Sequence, residues 1–147
     1  MKFKQLKSRF ACKEQNNMKP IIIYGNSTLA KQVYLDAEQY FPEFRLAAFC
    51  AGDEFVQGEP LFCGVPLIKE SEVLQKFPPD EYDMLSGVDA PSRLRNRILV
   101  YEKLKSLGYK LVNYVSPAAN VHPHAKLGEN NVFFARCHVY VEGQRKK

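Results

Sequence analysis

Long hydrophobic runs are missing from this chain: the longest covers only a few residues, far short of the roughly 20 needed to cross a bilayer. An uninterrupted apolar core is also missing after the N-terminal lysines. The sequence therefore predicts neither a signal peptide nor a membrane span, and a cytoplasmic protein. Cysteine is sparse, and Cys12, Cys50, Cys63 and Cys137 show no C-x-x-C spacing. A chain of this length needs no disulfide staples, so they read as free thiols in a reducing compartment. Also absent is G-x-G-x-x-G, which argues against an NAD-dependent oxidoreductase.

What is present describes an ordinary globular chain. Its 147 residues suit one main core with room for a small appendage. With 46% hydrophobic and 25% charged residues and a mean hydropathy of -0.33, nothing indicates disorder. The net charge of +5 is a matter of tails. Residues 1–19 carry six Lys/Arg against Glu14, and Arg145, Lys146 and Lys147 add three more, leaving 12 basic and 15 acidic residues between, a net of -3. A mildly acidic body with basic ends does not make a nucleic-acid face, and none is expected as a partner.

Along the chain, Ile21-Ile22-Ile23-Tyr24-Gly25 reads as a strand buried on both faces of a parallel sheet. Ser27 or Thr28 can cap a following helix with apolar positions Leu29, Val33, Ala37 and Tyr40, ended by Pro42. Leu46–Cys50 supplies a second strand and completes a βαβ unit. Residues 53–66 read as loop; a short helix from Ser71 stops at Phe77-Pro78-Pro79; Asp83–Gly87 reads as another buried strand. Pro91 opens a helix with the stripe Leu94, Ile98, Tyr101, Leu104 and Leu107, closed by Gly108. Lys110–Val115 is the expected last strand of the sheet. Strands alternating with helices over short links specify a three-layer, mostly parallel α/β sheet.

Beyond Tyr114 the period changes to six. Aliphatic or aromatic residues recur at Val115, Val121, Leu127, Phe133 and Val139, with small or compact residues four further on at Ala119, Ala125, Asn131, Cys137 and Gly143. In a left-handed β-helix each hexapeptide forms one flat face of a triangular prism, the aliphatic residue pointing inward and the small one at the corner. Three units close a turn, so five give less than two. The expected division is a basic tail over 1–19, a nucleotide-sugar-binding unit over 20–114, an incomplete β-helix over 115–143 and a basic tail over 144–147.

In this order, Ile21–Gly25 with its turn, Phe62-Cys63-Gly64-Val65-Pro66, Pro78-Pro79-Asp80-Glu81-Tyr82, Gly108-Tyr109-Lys110-Leu111, Ser116-Pro117-Ala118-Ala119 and Ala125-Lys126-Leu127-Gly128-Glu129-Asn130 resemble the hexapeptide-repeat sugar acyltransferases related to sialic acid O-acetyltransferases. The resemblance runs from about Lys19 to Val141. It implies a Rossmann-like domain holding a nucleotide-linked sugar, then a left-handed β-helix that assembles as a trimer and binds acetyl-CoA, a co-substrate rather than a cofactor held by this chain. The family's catalytic histidine lies further along the β-helix than this chain reaches, so no catalytic residue is assigned.

The resemblance also marks binding candidates. The family's glycine-rich turn, which lets backbone N–H groups approach phosphates, is Gly25-Asn26-Ser27-Thr28-Leu29-Ala30 here. The Ser27 and Thr28 hydroxyls serve either a ligand or the helix cap. Asp53, in Ala51-Gly52-Asp53-Glu54, is the candidate for a ribose or base contact or a solvated loop acid. Gly87 ends a strand at the edge where ligands bind in open α/β sheets, and Arg95 best matches an arginine common in the family. Arg93 and Arg97 share a face of their helix, and Arg95 points away. His122-x-His124 lacks a matching acid or thiol, so His122, His124 and His138 read as exposed corner residues and no metal is expected. The pattern-breaking end Gln144–Lys147 reads as that of a truncated member, not catalytic alone. The alternative is a non-catalytic binding or regulatory module docking through its β-strand stub. In either case the open β-helix end predicts self-association or fraying.

Overall fold

The structure is a computed structural model in which residues 19–58, 60–88 and 94–140 are described. Pro91, Arg93, Val141, Gly143, Cys12 and both basic tails up to Met18 and from Val141 lie outside these residues. The fold is mixed α/β, with a parallel-rich five-stranded sheet in the order β3-β4-β2-β1-β5. The central strand is β1 (Ile21–Tyr24), parallel to β2 (Leu46–Ala51) on one side and β5 (Asp83–Ser86) on the other.

A central strand needs apolar side chains on both faces, which is why Ile21–Tyr24 does not alternate. Ile21 and Ile23 pack into one cluster with Ala30, Val33, Ala37 and Phe49. Ile22 and Tyr24 pack into the opposite one with Val73, Met84, Leu104 and Tyr109. Each fully buried isoleucine contributes about 1.5–3 kcal/mol of transfer free energy. Helix α1 (Thr28–Tyr40) begins at Ser27, whose Oγ accepts from the Ala30 N–H at 3.4 Å. Its buried face is Ala30, Val33 and Ala37, whereas Tyr40, expected on the stripe, is exposed. Phe41 takes the core position instead: it leaves the helix just before Pro42, is buried, and meets Tyr114 edge-on at 5.8 Å.

The stretch expected as loop over 53–66 contains a 3₁₀ turn (Asp53–Phe55) and a hairpin of β3 (Leu61–Phe62) with β4 (Val65–Lys69). Cys63 and Gly64 both take positive φ, 55° and 76°, the two-residue turn whose twist matches paired strands. Pro66 had hidden this strand; it stands in the hairpin near the sheet edge, where a missing N–H is tolerated. Helix α2 (Glu70–Lys76) follows β4 directly, and α3 (Leu94–Ser106) buries Leu104 while leaving Ile98 exposed. Tyr109 closes this side: its hydroxyl donates to the Val73 carbonyl at 3.3 Å and to that of Phe77, and burial pushes its pKa up to about 12.

The expected last strand, Lys110–Val115, divides. Leu111 bridges Met84 in parallel, but Tyr114–Val115 (β6) pairs with Val132–Phe133 (β8) instead. Asn113 turns the chain out of the sheet, since its Nδ2 donates to Gly128 O and its Oδ1 accepts from Asn131 N, both at 2.7 Å. A second parallel pair, Asn120–Val121 (β7) with His138–Val139 (β9), follows. Both pairs join residues eighteen apart, three steps of the six-residue period. Val115 and Ala119 are buried; Val121, Leu127, Phe133 and Val139 are half-buried. This segment also grips the sheet: Tyr114 is fully buried with its hydroxyl on Asp36, Val132 and Phe134 pack on the first cluster, and Asn130 Oδ1 accepts from Ser86 N–H at 2.8 Å.

Candidate functional site

Four parallel strands finish at one edge, and the residues just past them border a cleft of about 400 Å³. Gly25 follows β1, Gly52 follows β2, Glu70 follows β4 and Val88 lies two residues past β5. Helix α3 forms the opposite wall through Asn96, Leu99, Val100 and Lys103, one helical face by their three- and four-residue spacing. Phe55, from the 3₁₀ turn, and Leu99 border the mouth, 62% and 53% exposed.

Glycine is required where the backbone crowds. Gly25 has φ 121°, and a Cβ there would lie 3.0 Å from Gly87 O. A Cβ on Gly87 would lie 2.9 Å from both Cα and Cβ of Ala30, so Gly87 lets α1 approach the end of β5. Ser27 links the two: its hydroxyl donates to Gly87 O at 2.8 Å while accepting from Ala30 N–H. Its one proton is thereby committed, and capping is the role the geometry gives it.

Of the residues expected at a site, Gly25, Asn26 and Ser27 line the cleft together. Gly87 is buried beneath Ala30 next to the lining Val88. Thr28 is the exposed first residue of α1 and is not among the lining residues. Asp53 is not among them either; its carboxylate accepts the Ser71 N–H at 3.1 Å, and hydrogen bonding from the Ser71 side chain and then its backbone holds its pKa below the ordinary value. Arg95 and Arg97 are exposed on α3, outside the described lining.

The charged groups inside were not foreseen. Glu70 Oε1 lies 2.8 Å from Lys103 Nζ and accepts from the Tyr24 hydroxyl at 3.3 Å. Lys103 also stands 6.0 Å from the centre of the Tyr24 ring. Burial, then the Glu70 charge, raises the Tyr24 pKa far above its usual range, so this phenol stays a donor. Cys50 is buried beneath the cleft, and burial, reinforced by Glu70 and Asp53, pushes its thiol up to about 12, which removes it as a nucleophile. Cys50, Cys63 and Cys137 are unbonded. Among the described residues no group of three or more His, Cys, Asp or Glu is placed to hold a metal, and no helix is long and apolar enough to cross a membrane. His122 and His124 are exposed, their rings 5.7 Å apart, and the exposed His138 contacts Asn120 Nδ2 at 3.3 Å.

The arrangement has solved counterparts. Perosamine N-acetyltransferase from Caulobacter crescentus, in a complex with CoA and GDP-perosamine, matches with a TM-score of 0.67 and 22% identity over 85% of this chain and 56% of its own. The acetyltransferase domain of PglB from Neisseria gonorrhoeae, in complex with acetyl coenzyme A, matches with a TM-score of 0.65 and 22% identity over 83% of this chain and 56% of its own. Over the matched residues the chain shares their fold. It spans little more than half the length of either. No family model matches the sequence, and no curated protein does. The likeness is thus one of backbone arrangement with little shared sequence.

Proposed function

We propose that this chain is the nucleotide-sugar-binding part of a sugar acetyltransferase that takes its acetyl group from acetyl-CoA, built from a Rossmann-like unit and the first coils of a left-handed β-helix. The observation that carries this is the cleft at the ends of β1, β2, β4 and β5, where ligands bind in open α/β sheets. Gly25 and Asn26 form the turn that faces the diphosphate at the start of α1. Gly87 and Ser27 hold that turn against β5, Thr28 follows it as the first residue of α1, Arg95 stands on the facing helix α3, and Asp53 keeps α2 in place. The eighteen-residue offset of the two C-terminal strand pairs supports the β-helix reading, since three hexapeptides make one coil.

In the transfer itself an acceptor amine or hydroxyl on the sugar attacks the thioester carbonyl and CoA leaves as the thiol. A base must lie within hydrogen-bond reach of the acceptor, and the described residues offer no such group beside an acyl site. The 147-residue chain is therefore expected to bind the sugar nucleotide without transferring acetyl groups, and to self-associate through its coil. Titration calorimetry with GDP- and UDP-linked amino sugars tests the binding. Saturable heat with one site per chain is expected, and no binding at millimolar concentration by folded protein would overturn the reading.

A further inference from the structure

Resting on the nucleotide-sugar reading, we infer that Glu70, and not Asp53, is the acid that holds the nucleoside end of the ligand, and that it fixes which way round the ligand lies. Both contacts that pin Glu70, from Lys103 Nζ and the Tyr24 hydroxyl, fall on Oε1. No hydrogen bond to Oε2 is present among the described residues, and the side chain, 23% exposed, borders the cleft. A carboxylate held in this way presents one free acceptor oxygen. It accepts from a neutral donor, either a ribose hydroxyl or a base N–H.

Two further observations agree. Lys103 is paired with Glu70, so the positive charge at this end of the cleft is partly balanced. Phe55 and Leu99, both more than half exposed, border the same cleft and offer apolar surface for a base. The phosphates then point away from Glu70, toward Asn26 and the start of α1. Asp53, the acid expected from its place after β2, is engaged by the Ser71 N–H and is not among the cleft residues.

Calorimetry on the full chain with GDP and UDP decides the matter. Glu70→Gln, which keeps size and one acceptor, is expected to weaken binding by about tenfold, the effect of a charge-assisted hydrogen bond reduced to a neutral one. Asp53→Asn should bind within about twofold of the parent. Wild-type protein gives a second reading independent of how well the variants fold. Loss of affinity with 2′,3′-dideoxy-GDP places the ribose on Glu70, and loss with inosine diphosphate places the base there. Undiminished GDP binding by Glu70→Gln, or undiminished wild-type binding of both analogues, overturns the inference while leaving the nucleotide-sugar reading intact. If wild type binds neither GDP nor UDP nor any nucleotide sugar, both fall together.

Discussion

Asn130 joins the C-terminal segment to the end of β5, and its backbone takes φ 59°. Its Oδ1 accepts the part-buried N–H of Ser86 at 2.8 Å, immediately before Gly87 at the cleft. Three substitutions separate the two contributions. Asn130→Asp keeps the acceptor and tolerates the left-handed backbone, so stability should change by less than about 0.5 kcal/mol. Asn130→Gly removes the acceptor but suits the backbone, and should cost about 1–2 kcal/mol for an unsatisfied backbone donor. Asn130→Ala adds the left-handed penalty of about 1–2 kcal/mol, for a total of about 2–4 kcal/mol. Urea unfolding with a shared slope measures all three, and for a domain of this size each kcal/mol moves Tm by about 2–4 °C. A glycine variant as stable as the parent, or an aspartate variant as weak as alanine, would mean that the Asn130 acceptor does not hold the Ser86 N–H.

Gly87→Ala drives a Cβ to 2.9 Å from backbone and side chain of Ala30 and is expected to cost about 1–3 kcal/mol by thermal unfolding, because α1 must move outward. Asp83 carries a buried Oδ1 without a hydrogen bond, and burial raises its pKa, with Lys19 and Lys110 opposing. A raised carboxyl contributes most to stability below its unfolded value and loses that contribution as pH rises through the folded one, so Asp83→Asn should flatten the urea midpoint from about pH 4 upward and exceed the parent at pH 7. Tyr24, Tyr109 and Tyr114 all have raised values with burial the largest cause, so their contribution is complete below the ordinary pKa near 10 and is lost above it. Phenolate absorbance should accordingly show these three ionising only together with unfolding. Tyr114→Phe removes the hydroxyl held by Asp36 and should cost about 1 kcal/mol at neutral pH.

The sheet centre was legible because a strand buried on both faces declares itself locally: Ile21–Tyr24 has apolar residues at every position, and Ser27 stands where a cap belongs. The six-residue period agrees with the eighteen-residue offset at which Val115 pairs with Phe133 and Val121 with Val139. What escaped was set by partners distant in sequence. The β3–β4 hairpin was masked by Pro66, and with β4 hidden, Glu70 had no strand end to mark it as a cleft residue. Tyr114 leaves the sheet because Asn113 hydrogen-bonds Gly128 and Asn131, which no local pattern shows. Asp53 has the right type in the right loop, yet its Oδ1 accepts from the start of α2, eighteen residues on, and it is not among the cleft residues. Lys103 and Leu99 sit on a helical face that the apolar stripe of α3 did not mark.

An amide-resolved NMR titration of the full chain with a GDP- or UDP-linked amino sugar locates the bound ligand on the cleft. Saturable shifts are expected, centred on the N–H groups of Gly25, Asn26, Gly52 and Val88, with little change at the exposed His122, His124 and His138. Saturable binding whose shifts lie elsewhere, with these four unmoved, would contradict that location.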